Sequence, residues 1–230
     1  MRLHKYLADN GVASRRKCEE FIRHGLIKVN GKIVTEMGIK IDPEKDKIET
    51  APEIKLQKQK LVYYAFHKPV GYICSVTGPE EPKIMELLHD IPERVFPVGR
   101  LDKLTSGLLI LTNDGRFAYK MTHPKFEKEK EYVVKIREKI TPEKLKILQS
   151  GIFIHGRKTN PAKVEIQGPH LLRIILHEGR NRQIRRLCDK AELHIEKLKR
   201  IRIGNLLLGD LQPKEYRKLT RDELKNIIHH

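Results

Sequence analysis

The stretch Val98-Gly-Arg-Leu-Asp-Lys-Leu-Thr-Ser-Gly-Leu-Leu-Ile-Leu-Thr-Asn-Asp-Gly115 joins a glycine-flanked loop to a short apolar run. The run predicts a strand over Leu108–Thr112, because a bounded apolar segment of this length is typical of a strand. The loop before it carries one acidic residue, Asp102, two positions after Arg100. The stretch therefore predicts a core strand with a candidate reactive carboxylate at its entrance.

Residues 61–230 combine strand and helix patterns. The predicted strands cover Val62–His67, Leu108–Thr112, Glu131–Ile136, Lys163–Ile166, Leu171–Leu176 and Ile195–Ile203. The predicted helices cover Ile84–His89, Phe117–Met121, Pro142–Gln149, Arg182–Lys190 and Arg221–Ile227. Because strands and helices do not alternate regularly, this part is predicted to be α+β, with a mostly antiparallel sheet and helices packed on it.

Residues 1–50 predict a small separate domain of helices and a hairpin. Ser14 is a preferred helix N-cap, and Gly25 suits a helix end. The alternating segment Ile27–Val34 has Asn30-Gly31 at its centre, a pair that favours a tight hairpin turn because both positions accept positive φ. Residues 51–60 are polar without a clear period and are predicted to be a linker to the larger domain at 61–230.

The charge of the chain is strongly unbalanced. The 230 residues include 47 Lys and Arg against 30 Asp and Glu, a formal net charge of +17. This excess indicates a polyanionic partner, nucleic acid before an anionic membrane surface, since no amphipathic anchor helix is evident. No apolar run approaches the roughly 18 residues of a membrane span and no signal peptide is evident, so a cytoplasmic protein is expected.

Several other classes of site are disfavoured by the residues. The three cysteines are far apart, which argues against disulfides and against a metal site. Gly151–Thr159 nearly matches a phosphate loop, but its lysine is one position late and Asn160-Pro161 stands where a helix should begin. A lone Asp in a loop is most often a helix cap or a solvated charge. Asp102 is therefore a candidate reactive residue only because of the residues around it.

Basic residues cluster on the predicted N-terminal helix, beginning with Arg15, Arg16 and Lys17. A solvated helix face would explain a charge run alone. The segments Leu3-His-Lys-Tyr-Leu7, Ser14-Arg-Arg-Lys17 and Ile27-Lys-Val-Asn-Gly31 nevertheless resemble the alpha-L RNA-binding domain of a small-subunit ribosomal protein and of several RNA-modifying enzymes. The resemblance implies that this basic face binds folded rRNA, and it does not imply catalysis.

A second stretch, Leu176-His-Glu-Gly-Arg-Asn-Arg-Gln-Ile-Arg-Arg-Leu187, leads from a predicted strand into a basic helix. Together with four further segments it resembles the motifs of the RsuA-type pseudouridine synthases, the ribosomal small-subunit synthase A family. Those segments are Gly99-Arg-Leu-Asp102, Thr105-Ser-Gly-Leu-Leu109, Lys130-Glu-Tyr132 and Phe66-His-Lys-Pro-Val-Gly71. The resemblance covers nearly the whole chain, and the combination is specific although each motif alone is weak.

The resemblance implies isomerisation of uridine to pseudouridine in rRNA, without a cofactor, metal or energy source. Asp102 would be the nucleophile, attacking either the ribose or the base. Arg185 would pair with Asp102, since an arginine keeps its proton and lowers the pKa of a neighbouring carboxyl; phosphate binding is the alternative for Arg185. Arg100 would help the nucleotide leave its stack. Tyr132 would pack on the flipped uracil and assist in removing its proton, unless it is an ordinary core aromatic.

RNA binding is assigned to basic residues of both domains: Arg15, Arg16, Lys17, Arg180, Arg182, Arg186, Lys199 and Arg200. Phosphate contacts release counterions, so binding is expected to weaken with salt. The resemblance also implies a monomer, and it slightly favours large-subunit (23S) over small-subunit (16S) rRNA as the target.

Two other functions compete with this interpretation. A non-catalytic RNA-binding or ribosome-assembly protein would use the same basic surfaces, but it has no use for Asp102 in a pocket loop. An rRNA methyltransferase would need a glycine-rich cofactor loop after a strand, and the sequence contains none.

Overall fold

The computed structural model describes residues 1–56, 60–75 and 82–229, with the backbone alone for residue 229. The chain divides into two compact units. One consists of Met1–Leu61 with Asn113–Gly115, and the other of Val62–Thr112 with the chain from Arg116 onwards. Within the described residues no helix has the length and apolar character needed to cross a membrane.

The N-terminal unit contains two short helices and a three-stranded antiparallel sheet. Its elements are α1 (Leu3–Asp9), α2 (Arg15–Arg23), β1 (Ile27–Val29), β2 (Lys32–Ile33) and β3 (Ile48–Thr50), with β1 in the middle of the sheet. The Ser14 hydroxyl accepts a hydrogen bond from the Lys17 backbone N–H at 3.2 Å, which confirms the predicted cap. Asn30 and Gly31 have φ of 52° and 79°, which confirms the predicted turn. Ile54, from the segment predicted as a linker, is buried in the core of this unit.

The larger unit contains strands and four helices in its described residues. In chain order the elements are β4 (Tyr63–Lys68), β5 (Phe96–Val98), β6 (Ser106–Thr112), α3 (Gly115–Thr122), β7 (Lys130–Ile136), α4 (Pro142–Gln149), β8 (Phe153–Ile154), β9 (Arg157–Lys158), β10 (Lys163–Gly168), β11 (Leu171–Leu176), α5 (Gln183–Lys190), β12 (Ile195–Ile203), β13 (Leu206–Leu207), β14 (Tyr216–Lys218) and α6 (Arg221–His229). Two 3-10 turns, Ile84–Leu87 and Pro124–Phe126, complete the list.

The predicted helix at Ile84–His89 is wrong, because only the single 3-10 turn forms there. The Leu88 N–H donates to the Met85 carbonyl, the bond of a 3-10 turn, and Pro92 has no N–H with which a longer helix could continue. The other predicted strands and helices are confirmed, and differ from the structure only at their ends.

Over the described part of this unit, nine strands form one sheet in the order β10-β11-β7-β12-β6-β4-β14, with β13 beside β12 and β5 beside β6. Among the pairings of these nine strands, only that of β12 with β6 is parallel. This mostly antiparallel sheet with packed helices confirms the predicted α+β class. The near match to a phosphate loop is instead the hairpin β8–β9.

The strand β6 is apolar along its length because it has a core on each face. Leu108 and Ile110 pack in the cluster that contains Phe117 of α3, and Leu109 and Leu111 pack in a second cluster on the opposite side. Successive side chains of a strand point to opposite faces, so an uninterrupted apolar run is what a strand covered on both sides requires.

The parallel contact between β6 and β12 depends on a glycine. Gly107 has φ of 109° and faces the backbone of Arg200 so closely that a Cβ atom would lie 2.1 Å from the Arg200 carbonyl oxygen. Any side chain at this position would push the two strands apart, so glycine is required here by both its φ and the space.

We predict that Gly107→Ala destabilises the larger unit by about 3 kcal/mol or more, because it adds a backbone clash to a strained φ. Gly156→Ala is the control, since Gly156 also has a positive φ but has no atom within 4 Å of its Cβ position. It should cost only about 1–2 kcal/mol. Urea unfolding followed by far-UV circular dichroism measures both, and equal midpoints would contradict the prediction.

Candidate active site

The larger unit contains a cavity of about 710 Å³, which is within the size range of ligand sites. Its wall is formed by the loop before β6, by β7 and β12, and by the start of α5. Arg100, Asp102, Tyr132 and Arg185 all line it. The structure thus brings together the four residues predicted to be catalytic. Among the described residues, no group of three or more His, Cys, Asp or Glu is arranged to hold a metal ion.

The Asp102 carboxylate faces the Arg185 guanidinium inside this cavity. Asp102 Oδ2 lies 3.8 Å from Arg185 Nε, and the side chains are 33% and 12% exposed. Arg185 Nη2 donates to the Leu104 carbonyl at 2.8 Å and to Thr105 Oγ1 at 3.2 Å. Burial lowers the pKa of Arg185, yet an arginine keeps its proton in proteins. A fixed positive charge is therefore held beside the carboxylate.

Tyr132 and Lys130 line the cavity from the same face of β7. Tyr132 lies opposite Arg200 of β12 in the sheet and is only 8% exposed, so its ring is part of both the core and the cavity wall. Lys130 Nζ donates to the Lys128 carbonyl at 2.8 Å. Burial, followed by the repulsion of Arg200, lowers the pKa of Lys130 to about 8.

Glu131, between these two residues, points to the other face and has a structural role. It is 1% exposed, and its carboxylate pairs with Arg173 of β11 and with Arg202 of β12. Both hydrogen bonds come from the strands that flank β7. The two guanidinium groups compensate a buried charge that would otherwise be costly. The Lys-Glu-Tyr motif thus anchors β7 on one face and supplies the cavity wall on the other.

Lys68, which was not among the predicted site residues, holds the loop of Asp102. Lys68 is fully buried, and its ammonium donates to the backbone carbonyls of Pro69, Asp102, Lys103 and Thr105 at 2.9 to 3.4 Å. Burial lowers the pKa of Lys68 to about 8. The only signal in the sequence was a lysine at the end of an apolar strand, in a motif whose residues were not assigned roles.

Cys74 supports the same loop from another side. Its Sγ accepts a hydrogen bond from the Leu101 backbone N–H at 3.3 Å, and burial raises the pKa of the thiol. The backbone that carries Asp102 is therefore fixed through both its carbonyls and an N–H.

The basic residues of the second motif fall into two groups. Arg182 and Arg186 are exposed, and Arg182 stands at the start of α5 with φ of 51°. Arg180 is instead committed to protein contacts, since it donates to the carbonyls of Ile154 at 2.6 Å and Arg157 at 2.8 Å. Arg180 therefore ties the β8–β9 hairpin to the cavity rim, and its guanidinium is occupied in a way that the prediction of phosphate binding did not anticipate.

Arg200 differs from its predicted place on the RNA-binding surface. It is 3% exposed, and its Nε donates to the Leu108 carbonyl at 2.7 Å. Arg200 lies on the face of β12 that borders the cavity. Lys199 lies on the other face, near His67, whose pKa is lowered first by burial and further by the positive charge of Lys199.

The predicted RNA-binding residues of the N-terminal unit, Arg15, Arg16 and Lys17, are exposed on α2. Arg15 Nη2 lies 2.8 Å from His4 Nε2, and Lys17 Nζ pairs with Glu20 at 2.7 Å. These three residues form a basic end on a helix whose opposite face is buried through Cys18 and Ile22.

Comparisons with known proteins identify the family of this site. The family model described as RNA pseudouridylate synthase matches residues 62–190, and that of the S4 domain matches residues 1–47. The chain belongs to the RNA pseudouridylate synthase family. Its S4 domain occupies the place of the alpha-L RNA-binding domain expected from the sequence, and both resemblances are thereby confirmed.

Relatives match along almost the whole chain. The chain is 41% identical to the ribosomal large subunit pseudouridine synthase B of Bacillus subtilis (strain 168), over 98% of this chain and 95% of the relative. It is 36% identical to the dual-specificity RNA pseudouridine synthase RluF of Escherichia coli (strain K12), over 99% and 78%. A crystal structure of a pseudouridylate synthase matches with 31% identity and a TM-score of 0.72, over 99% of each chain.

We predict that Lys68→Met destabilises the larger unit by about 3 kcal/mol, because it leaves buried carbonyl oxygens without a donor. Lys225→Met is the matched control, since Lys225 is exposed on α6 and should change stability by less than about 0.5 kcal/mol. Urea unfolding at pH 7 compares the two, and a Lys68 variant as stable as the control would refute the role given to this ammonium.

The same lysine predicts a dependence on pH. Its pKa is about 8 in the fold against 10.5 ordinarily, so the unfolded chain binds more protons between these values. The contribution of Lys68 to the free energy of unfolding therefore increases as the pH is raised from about 8 to about 10.5. The difference in unfolding free energy between wild type and Lys68→Met should grow across this range, and a constant difference would contradict it.

Proposed function

We propose that this protein converts a uridine of ribosomal RNA into pseudouridine, with Asp102 as the nucleophile. The observation that carries the proposal is the Asp102 carboxylate facing Arg185 across 3.8 Å within a cavity of about 710 Å³. Membership of the RNA pseudouridylate synthase family supports the reaction. The site supplies the charged nucleophile and the fixed counter-charge that the reaction needs.

Large-subunit rRNA is the favoured target, ahead of small-subunit rRNA. The relative from Bacillus subtilis is named for the large ribosomal subunit and shares 41% identity over nearly the full length of both chains. The S4 domain and the overall charge of +17 support binding of a large folded RNA. We place the protein with this RNA in the cytoplasm and propose that it acts as a monomer.

Asp102 is favoured over two other carboxylates of the cavity wall. Glu178 accepts hydrogen bonds from the Asn160 backbone at 2.8 Å and from Gln183 Nε2 at 2.9 Å, so it holds neighbouring loops together. Glu127 is exposed at the end of a 3-10 turn. Asp102 instead lies within ion-pair distance of a partly buried guanidinium, on a backbone that Lys68 fixes.

The proposed reaction is an isomerisation and needs no second substrate. The N1–C1′ bond of uridine breaks, the uracil turns within the cavity, and a C5–C1′ bond forms. The proton on C5 is lost and N1 gains one, so substrate and product have the same composition and no electrons are supplied. Attack by Asp102 on the ribose or on the base is compatible with the site.

Other residues of the cavity receive the flipped nucleotide. Arg100 is exposed at the cavity wall, where its guanidinium can take part in extruding the target. The Tyr132 ring packs on the uracil and assists in removing its proton. Stacking of roughly 1–3 kcal/mol per base offsets the few kcal/mol that unstacking costs. Arg182 and Arg186, exposed beside the cavity, bind phosphates.

The competing function, a non-catalytic RNA-binding or ribosome-assembly protein, needs only the basic surfaces. The buried bonds from Lys68 to the loop of Asp102 weigh against it, because a binding protein gains nothing from fixing one carboxylate in a cavity.

We predict that the purified protein releases tritium from transcripts of large-subunit rRNA labelled at C5 of uridine, and that Asp102→Asn lowers the rate by roughly 10⁴-fold or more. The amide keeps the size of the side chain but removes the nucleophilic charge. Filter binding of the same transcripts should be retained by the variant.

Glu127→Gln is the matched control, since it neutralises another carboxylate of the same cavity and should keep the rate within about threefold. Release that persists in Asp102→Asn would remove Asp102 from the mechanism. An absence of release by the wild type from both large- and small-subunit transcripts would overturn the proposed activity.

A further inference from the structure

A partly exposed cluster of aromatic rings lies beside the cavity and has no part in the mechanism described above. It consists of Tyr119 on α3, His123 just after this helix and Phe126 in the following 3-10 turn; we call it the aromatic platform. The Tyr119 and His123 ring centroids lie 4.7 Å apart, and the Tyr119 and Phe126 centroids lie 5.9 Å apart at right angles.

Packing of the core does not explain the aromatic platform. The helix α3 buries Phe117 and Met121, each 3% exposed. Tyr119, two positions from each of them, is 48% exposed, and His123 is exposed as well. Large aromatic surfaces left in water are a feature of binding sites, because their burial is otherwise favourable.

A lysine ammonium group lies above the rings of the aromatic platform. Lys125 Nζ lies 5.4 Å from the Tyr119 ring centroid and 4.8 Å from that of Phe126. Lys120, on the same helix, is also exposed. Aromatic faces next to flexible cations are the combination that single-stranded nucleic acid requires, with bases on the rings and phosphates on the amines.

The aromatic platform is continuous with the cavity. His123, with Thr122 and Pro124 on either side of it in sequence, belongs to the cavity wall that also contains Arg100 and Asp102. A nucleotide next to one inserted in the cavity can therefore reach these rings.

We propose that the aromatic platform binds the base of an unpaired nucleotide next to the target uridine, with Lys125 on the adjoining phosphate. This inference rests on the proposed function, since it takes the cavity to be the site of the target. The exposed rings favour an unpaired nucleotide over duplex RNA, whose bases are already stacked, and over an acidic peptide, which has no base to stack.

The test uses the full chain with Asp102→Asn, so that no turnover occurs, and a short single-stranded oligouridylate as the probe. Tyr119→Leu should weaken binding about 5- to 150-fold without changing the salt dependence, whereas Tyr119→Phe should retain it. Lys125→Gln should reduce the slope of log affinity against log salt by about 0.7, the value for one phosphate of a single strand.

Leu207→Ala is the control, because it truncates another exposed apolar side chain of the same unit, 58% exposed, and should leave binding unchanged. Equal affinity for Tyr119→Leu and this control would overturn the inference. An equal loss with a fully paired RNA duplex or with polyglutamate would overturn it too, since neither offers a free base.

Activity separates this inference from the proposed function. In the chain with Asp102 intact, Tyr119→Leu should raise KM for the rRNA transcript and leave kcat within about twofold. A wild-type chain without tritium release would overturn the proposed function, whereas the binding experiment needs no turnover and would still decide whether the aromatic platform binds an unpaired base. Normal release together with an unchanged KM would overturn the aromatic platform alone.

Discussion

The site depends on one buried ammonium group. Lys68 has no surface exposed to water, and its ammonium group donates hydrogen bonds to backbone carbonyls. Three of these carbonyls lie in the loop from Asp102 to Thr105. The carbonyl dipoles stabilise the buried positive charge of Lys68. The hydrogen bonds from its ammonium group in turn hold the loop in a single conformation. Arg185 reaches the same loop from α5 and can face Asp102 only because the loop is held in place.

Much of the fold and part of the site could be predicted from the sequence. The strands Leu171–Leu176 and Ile195–Ile203 and the helix Pro142–Gln149 match their predicted bounds because apolar periodicity and a proline start mark them locally. The roles of Lys68 and Arg180 could not be predicted. Both side chains donate to backbone carbonyls. Every residue has such a carbonyl, so the sequence does not show which segment accepts the hydrogen bond.

Positive charge serves two separate purposes in this chain. Most of the excess of +17 is carried by side chains in water, where it attracts a polyanion and is screened by salt. Lys68 and Arg200 are instead buried and Lys130 is half-buried, and burial lowers the pKa of both lysines to about 8. Composition alone counts the two groups together, which is why Arg200 was expected on the surface.

The parallel pairing of β12 with β6 sets when the cavity can first exist during protein synthesis. Its wall draws on residues from Val98 to Ile203, and Gly107 meets its partner backbone only when Arg200 is present. A growing polypeptide that has not yet released β12 from the ribosome lacks one side of the cavity. We therefore expect the newborn chain to stay inactive until β12 has emerged from the ribosome and paired with β6.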